Sequence, residues 1–252
     1  MPTKIEVRSL RKSFDSGKGS LPVIEDVSFS VGDGEFIAIV GPSGCGKSTL
    51  MNLMAGFIQP DGGTVTVDGA LRTRPDSRGI LISQQGSVFP WLTVRENLMF
   101  GLNGHAPENR LEIADRYAGI VGLKGFEENY PHELSGGMLK RAELARALVV
   151  KPEILYMDEP FSALDALMSL RMRNEFLRIL AKERHTVLLV THDVEEAIHL
   201  ADRIIVLSPR PTRIQAAFEV PFPRPRRLSS TEAQGMRLAI LRELGVEGDD
   251  LT

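Results

Sequence analysis

The sequence contains a single cysteine, Cys45, so it cannot form an internal disulfide bond. No apolar run approaches the roughly 18 residues that a membrane-spanning helix needs. The first residues, Met1 to Glu6, include no apolar signal core. The net charge is only −3, which gives no support for binding nucleic acid. We therefore expect a cytoplasmic protein that reaches a membrane, if at all, through a partner.

Length and composition are ordinary for a folded soluble chain. The 252 residues are 42% hydrophobic and 25% charged. This length suits one large α/β domain with room for a subdomain. The sequence shows neither an internal repeat nor a low-complexity tract.

A glycine-rich segment with one lysine lies between a predicted strand, Phe36 to Val40, and a predicted helix. Its residues are Gly41, Pro42, Ser43, Gly44, Cys45, Gly46, Lys47, Ser48 and Thr49. They fit Gly-x-x-x-x-Gly-Lys-Ser, in which backbone N–H groups and the helix N-terminus surround phosphate oxygens. Lys47 supplies a full positive charge to the outer phosphates, and the Ser48 hydroxyl is placed to hold Mg²⁺. The segment predicts a nucleoside triphosphate site, with a chance match in a loop as the alternative.

Two acidic residues follow a second buried strand. Ile154 to Met157 are apolar, and Asp158 and Glu159 come directly after them. A carboxylate at the end of a strand beside a phosphate loop can bind magnesium through water, and its neighbour can deprotonate an attacking water. The alternative is a pair of acidic residues at the surface end of a strand.

The remaining pattern predicts alternating strands and helices, hence a mostly parallel sheet. We expect half-buried strands at Ile5 to Leu10 and Ile24 to Val31, and a strand over Gly79 to Ser83 that ends at Gln84. From about Thr93 to Val150 the spacing is helical, which indicates an inserted helical subdomain. Further strands are predicted at Thr64 to Val67, Val187 to Val190 and around Ile204, and a helix over Met168 to Lys182.

The order of these motifs resembles the ATP-binding subunit of an ABC transporter. Leu134-Ser135-Gly136-Gly137 resembles the family signature, Ser162-Ala163-Leu164-Asp165 its D-loop, and Thr191-His192-Asp193 its switch histidine. Gln84 resembles the Q-loop glutamine. The resemblance runs from about Ile5 to Ile214. It implies a P-loop NTPase with a RecA-like sheet, an N-terminal antiparallel β part and a helical subdomain.

The resemblance also implies the roles of individual residues, with ATP and Mg²⁺ as cofactors. Glu159 would be the general base, and His192 would touch the γ-phosphate. Gln84 would contact Mg²⁺ and the attacking water, with Ser48 and Asp158 as the other metal-binding residues. Phe14 stands where the family stacks an aromatic ring on adenine. Burial of Phe14 in the core, and a plain polar strand end at Gln84, are the alternatives.

The signature segment implies a dimer. Ser135 is a good N-cap for a helix, and Gly136 and Gly137 permit close backbone approach to phosphate. One triphosphate does not need two phosphate-binding helix ends in one chain. As in the family, two chains would pair head to tail, each offering its signature to the ATP of the other, with Asp165 at the dimer interface.

Some residues depart from the commoner family pattern. Met138 follows the signature, and together with Phe89-Pro90-Trp91-Leu92-Thr93-Val94 and Leu207-Ser208-Pro209-Arg210-Pro211 it resembles the nitrate/sulfonate/taurine importer group. Lys140 and Glu143 replace commoner residues, and we expect both to lie on a helix surface. Cys45 is expected to line the phosphate site with a lowered thiol pKa, because it precedes a helix, or else to fill the loop.

The predicted function is ATP hydrolysis coupled to solute import at the cytoplasmic face of the membrane. The implied partners are transmembrane permease subunits, a second ATPase subunit and, indirectly, a solute-binding protein. The alternatives are a soluble non-transport ABC ATPase and a non-hydrolysing ATP-binding scaffold. Phe89 and Trp91 either dock the permease or pack the subdomain.

The ATPase domain is expected over residues 1–225, with the helical subdomain at about 93–150, followed by a short tail over 226–252. Ser229-Ser230-Thr231 predicts the cap of a final helix that ends near Leu244. The Pro- and Arg-rich segment before this helix begins at Ser208 and includes Pro221 to Arg227. It is either a docking element or an extended arm laid over the core, and we favour the arm.

Overall fold

A computed structural model describes residues 2–15, 17, 19–84, 86–102, 104, 106–162 and 164–246. Ala163 of the predicted D-loop and residues 247–252 of the predicted tail lie outside the described residues. The chain forms two compact units. Unit 1 comprises Met1–Gly79, Tyr156–Asp158 and Thr186–Thr252; unit 2 comprises Ile80–Leu155 and Glu159–His185.

Within the described ranges the strands are as follows, in chain order: β1 Thr3–Asp15, β2 Ser20–Gly32, β3 Phe36–Val40, β4 Gly62–Val67, β5 Ala70–Leu71, β6 Gly79–Ile82, β7 Ile154–Asp158, β8 Thr186–Val190, β9 Arg203–Leu207 and β10 Ile214–Glu219. The α-helices of the same ranges are α1 Lys47–Ala55, α2 Val94–Met99, α3 Pro107–Ile120, α4 Gly136–Leu148, α5 Ala166–Leu180, α6 Val194–Leu200 and α7 Thr231–Glu243. A 3₁₀ turn covers Pro131–Glu133.

An antiparallel sheet in unit 1 has the strand order β2-β1-β4-β5. Apolar and polar residues alternate along β1, and its apolar side chains at Ile5, Val7 and Leu10 are buried. Ile5 is paired with Val67 and Val7 with Val65, so the sheet has one apolar face. This confirms the N-terminal antiparallel part that the resemblance implied.

The second sheet has the order β10-β9-β3-β8-β7-β6. β3 is parallel to both β8 and β9. Every residue of β3, β7 and β8 is buried, which explains why these strands are continuous apolar runs instead of alternating ones. β10 is antiparallel to β9 at the edge, and its alternating exposure was not predicted from the sequence. The expected α/β fold with a mostly parallel sheet is confirmed.

Unit 2 begins at β6 and contains the predicted helical region. In the described part of residues 93–150 the regular elements are all helical. α2 starts with a capping box between Thr93 and Glu96, and α3 starts at Pro107. These local signals agree with the helical spacing of the sequence. Along the described chain, no helix combines the length and the apolar character needed to cross a membrane.

The Pro- and Arg-rich segment belongs to unit 1 and packs against the end of α6. Arg226 is 8% exposed, and its guanidinium donates to Ile198 O at 2.9 Å and Ala201 O at 2.5 Å, at the C-terminal end of α6. These carbonyls have no intrahelical donor, so the arginine supplies one. α7 then begins after its N-cap Ser230, as the sequence predicted. The contacts agree with the favoured interpretation of an extended arm.

Candidate active site

The glycine-rich segment forms a turn that only glycine tolerates at two places. Gly44 has φ +71° and Gly46 has φ +116°. A Cβ at Gly46 would come within 2.8 Å of Val23 Cγ1, closer than real contacts allow. The two glycines therefore allow the tight turn of the loop between β3 and α1. This is the cradle that a phosphate group fits.

Lys47 is folded back over this loop. It is 7% exposed, and its Nζ donates to Gly41 O at 2.8 Å and Pro42 O at 3.0 Å. An ammonium group has three protons, so two hold the amine over the cradle and a third can serve a phosphate oxygen. The geometry fits the predicted role of a charge on the outer phosphates.

Cys45 departs from expectation. Its side chain is 2% exposed, and its Sγ would lie 3.0 Å from a Cβ at Gly41, so it fills space within the loop. Burial raises the pKa of the Cys45 thiol, and this outweighs the opposing effect of the Lys47 charge. The lowered pKa expected from the helix N-terminus is wrong. Thr212 holds the backbone here by donating its hydroxyl to Cys45 O, a contact that the sequence did not reveal.

Asp158 ends β7, and His192 follows the end of β8 by two residues; the two strands are neighbours in the six-stranded sheet. β8 lies between β3 and β7, β3 leads into the phosphate loop, and Asp158 is the last residue of β7. Asp158 is 6% exposed. The sheet order thus brings the phosphate loop, the magnesium candidate Asp158 and His192 to the ends of three consecutive strands, β3, β7 and β8.

The backbone on both sides of His192 is fixed, although its side chain is exposed. Asp193 N donates to Thr191 Oγ1 at 3.0 Å, and Asp193 Oδ1 caps α6 by accepting from Glu195 N at 2.9 Å. Thr191 also donates its hydroxyl to Glu196. These bonds fix the backbone on either side of His192 at the start of α6.

Glu159 and Gln84 are brought together in unit 2. Gln84 Nε2 donates to Glu159 Oε2 at 3.3 Å, although the two residues are 75 positions apart. Glu159 has φ +50°, an uncommon conformation for a residue with a side chain, costing of order 1 kcal/mol or more. Ser162 Oγ donates to Glu159 O at 2.9 Å and helps to hold this turn. No residue type or motif at this position predicts the strained backbone.

The signature and D-loop residues are helix caps in unit 2. Ser135 Oγ accepts from Met138 N at 3.3 Å and so caps α4. Asp165 Oδ1 accepts from Met168 N at 2.9 Å and caps α5. A Cβ at Gly136 would meet nothing within 4 Å, so the N-terminus of α4 is open to an approaching group. The exposure of Asp165 leaves it available for contact with a second chain.

Lys140 and Glu143 do not lie on a helix surface. Lys140 is 6% exposed and Glu143 only 2%. Lys140 Nζ lies 2.7 Å from Glu143 Oε2, an ion-pair contact outside hydrogen-bond geometry. Both side chains also bind the segment that carries Gln84. The expectation of a surface position is wrong because the charges compensate each other inside the unit.

Phe14 and Trp91 are both exposed aromatic residues. Phe14 is 39% exposed, which contradicts the core alternative for this side chain, and Lys12 Nζ lies 5.5 Å from its ring centroid. Trp91 is 69% exposed and stacks on Phe89 with ring centroids 5.3 Å apart. Phe89 is the packed member of the pair, because its ring also contacts Phe100 at 4.6 Å. Trp91 therefore does not serve mainly as a packing residue.

The oxygen donors fit magnesium better than a transition metal. The described residues contain no group of three or more His, Cys, Asp or Glu side chains placed to hold a metal. Magnesium is usually held by one or two protein oxygens together with phosphates and waters. Ser48 at the start of α1 and Asp158 at the end of β7 are oxygen donors of this kind, both within unit 1.

Comparison with known proteins identifies the family that the sequence motifs resemble. The model of the family described as ABC transporter matches residues 24–162, more than half of the chain. The nitrate import ATP-binding protein of Synechocystis is 42% identical over 87% of this chain and 83% of its own length. The aliphatic sulfonates import ATP-binding protein of Bacillus cereus is 36% identical over 97% of both chains.

A solved structure agrees over most of the fold. It is a dimeric ATP-binding cassette in a post-hydrolysis state, bound to ADP and phosphate. It superposes with a TM-score of 0.79 at 26% identity, covering 87% of this chain and all of that chain. The phosphate loop, the Asp158 strand end and the family match together show that this chain belongs to the ABC transporter family, as an ATP-hydrolysing cassette.

Proposed function

We propose that this chain is the ATPase subunit of an ABC importer and acts as a head-to-tail dimer. The observation that carries the proposal is the phosphate cradle of Gly44 and Gly46, with Lys47 held over it, in a chain that also has an open capped helix end at Ser135. Two phosphate-binding helix ends serve one triphosphate if each belongs to a different chain. The relative that is bound to ADP and phosphate is a dimer, which supports this arrangement.

The proposed chemistry assigns one task to each residue. Lys47 and the loop amides bind the phosphates, and Ser48, Asp158 and Gln84 would hold Mg²⁺, which neutralises charge on the phosphates. The Glu159 carboxylate takes a proton from a water whose oxygen attacks the γ-phosphorus. The bond between the γ-phosphorus and the β–γ bridging oxygen breaks, and ADP and phosphate are the products. Gln84 orients the water, and His192 contacts the γ-phosphate.

The remaining assignments concern the dimer partner and the nucleotide base. Ser135, Gly136 and Gly137 of one chain would close on the γ-phosphate held by the other, with Asp165 at the interface. Catalysis of phosphoryl transfer is mostly positioning and charge stabilisation, so closing the dimer completes the site. Phe14 would stack on adenine through its exposed face.

The transported solute is proposed from the relatives. The nitrate and aliphatic sulfonate import subunits cover most of this chain, and we assign this chain to the same importer group. Its membrane partners would be permease subunits, which place the ATPase at the cytoplasmic face, and a solute-binding protein would act indirectly.

Growth of a deletion strain tests the proposal. The gene would be deleted in its host, and growth measured with nitrate as nitrogen source and with taurine or an alkanesulfonate as sulfur source. We expect loss of growth on one of these sources and normal growth on ammonium and sulfate. Wild-type protein should restore growth, and a Glu159→Gln variant should not. Normal growth on all of these sources would contradict the importer group, and an active Glu159→Gln variant would contradict the mechanism.

A further inference from the structure

Helix α4 binds the backbone on both sides of Gln84. Lys140 Nζ donates to Ser83 O at 2.9 Å, directly before Gln84. Glu143 Oε1 accepts from Ser87 N at 2.9 Å and from Ser87 Oγ at 2.7 Å, three residues after Gln84. The spacing of three residues places both charged side chains on one face of the helix.

Arg146 adds a third contact from α4, again at Ser87. Arg146, three residues further along α4, donates its guanidinium to Ser87 O. Its guanidinium also lies 4.0 Å from the centroid of the Phe89 ring. The Ser87 peptide is therefore held through its N–H, its carbonyl and its side chain, all by residues of one helix.

This arrangement is a costly way to stabilise a helix. The side chains of Lys140 and Glu143 are 7% and 2% exposed, so both charges are removed from water. Replacing a buried ion pair with packed apolar residues is often neutral or stabilising. Stability alone therefore gives no reason for these charges. Their specific effect is to fix the positions of two backbone sites that flank Gln84.

The position of Gln84 has a direct chemical consequence. Its amide lies 3.3 Å from Glu159 Oε2. Misplacement of such a group by about 1 Å can cost roughly 10²-fold in rate. The same helix begins at the Ser135 cap, so the buried pair links the signature helix to the segment that carries Gln84.

We infer that Lys140 and Glu143 are positioning residues that lock Gln84 to the signature helix and align it with Glu159. The inference rests on the proposed roles of Gln84 and Glu159. It predicts that the pair acts on the hydrolytic step through Gln84, and not on ATP binding, because the phosphate loop is a separate segment of the chain.

The test is a double substitution, Lys140→Met with Glu143→Met, which removes both charges and keeps apolar bulk. We expect kcat to fall about tenfold, with KM for ATP within about twofold and a Tm at least as high as that of the wild type. The matched control is Arg178→Met with Glu175→Met, an ion pair with the same spacing on α5 whose side chains are 73% and 35% exposed. The control should leave kcat within about twofold of wild type.

A double-mutant cycle that combines the Met pair with Gln84→Ala separates the positioning of Gln84 from a general structural effect. In the Gln84→Ala background the Met pair should change kcat by less than about twofold, since the residue it positions is already absent. A full tenfold loss there would overturn the inference. The inference would also be overturned if the folded Met pair has the kcat of wild type while Gln84→Ala is slow. That result would leave the proposed function intact. If Gln84→Ala is as active as wild type, the proposed role of Gln84 fails first.

A second variant covers the case in which the Met pair does not fold. Lys140→Met with Glu143→Gln keeps an amide oxygen for Ser87 and loses only the Ser83 anchor and the ion pair. We expect an intermediate fall in kcat and faster hydrogen exchange at the backbone around Ser83. Wild-type kcat in this variant would contradict the inference.

Discussion

Gln84 Nε2 and Glu159 Oε2 are joined by a hydrogen bond of 3.3 Å between a loop that follows one strand and a turn that follows another. The amide donates, so Glu159 presents its carboxylate as the acceptor. At φ +50° the backbone of Glu159 turns out of the strand direction. The proposed base Glu159 and the proposed water-orienting residue Gln84 are thus in contact with each other in unit 2, and each can affect the other directly.

Trp91 should be required for binding a permease and not for folding. Its side chain is 69% exposed, so a Trp91→Ala substitution removes little buried contact. We expect a Tm within about 2 °C of wild type and ATPase activity of the isolated subunit within about twofold. Co-purification with the permease should fall strongly, because exposed aromatic residues serve as interface anchors.

Leu71→Ala provides the control for this prediction, because Leu71 is 60% exposed on the antiparallel sheet. It should co-purify normally. Unfolding of Trp91→Ala would favour the packing interpretation, and normal assembly and transport would show that the docking assignment is wrong.

Cys45 should react slowly with maleimide in the native protein. The thiol is 2% exposed, and burial raises its pKa, so both access and the thiolate fraction at neutral pH are low. A thiolate that is disfavoured by folding becomes populated only as the pH rises toward the raised pKa. Labelling followed by mass spectrometry at pH 7 and 9 checks this, with the urea-unfolded chain as the reactive control. Rapid labelling at pH 7 would contradict the buried position.

Asp76 should make stability depend on acid pH. Burial alone would raise its pKa, but hydrogen bonds from Arg78 and Arg72 lower it to about 2. Because the folded pKa is below the unfolded value of 3.8, the stabilisation is present above that value and is lost as the pH falls toward about 2. The side chain is 35% exposed, so solvent screening reduces the effect to about 1 kcal/mol.

Urea unfolding of Asp76→Asn at several pH values measures this contribution. The variant should be less stable than wild type by about that amount at pH 7, and the difference should shrink between pH 4 and 2. Glu112→Gln, an exposed position on α3, is the control and should behave as wild type. A difference that stays constant from pH 7 to 2 would contradict the proposed ionic origin.

Arg226 should stabilise the C-terminal end of α6. Its guanidinium donates to Ile198 O, His199 O and Ala201 O, and burial, together with the nearby charge of Arg224, lowers its pKa to about 10. Arg226→Met leaves these carbonyls without this donor and should lower the free energy of unfolding by about 2–3 kcal/mol. The neighbouring exposed Arg227→Met should change it by less than about 0.5 kcal/mol. Equal effects in urea unfolding would contradict the capping role.

The sequence predicted the elements whose signals are local. β3, β7 and β8 are continuous apolar runs, and the phosphate loop and the cap at Ser230 have residue types that their backbone requires. β10 was missed because its alternation is weak and lies in a Pro- and Arg-rich segment. Its strand conformation depends on pairing with β9.

The candidate site was predictable where a motif fixes the chemistry, and not where tertiary packing decides. Lys140 and Glu143 resemble ordinary charged helix residues, and only folding shows that they are buried together. The pKa of Cys45 depends on the competition between burial and the Lys47 charge, which sequence position alone does not settle. The strained turn at Glu159 likewise has no signal in the sequence.

The most direct test of the whole account is single-turnover ATP hydrolysis by Glu159→Gln, combined with size-exclusion chromatography in MgATP. We expect nucleotide binding close to that of wild type, hydrolysis slowed by about 10³-fold or more, and a stable ATP-bound dimer, because the base is lost while both phosphate-binding helix ends remain. Lys47→Ala in the same background should abolish the dimer. Turnover within a few-fold of wild type, or a monomer that binds ATP without dimerising, would contradict the account.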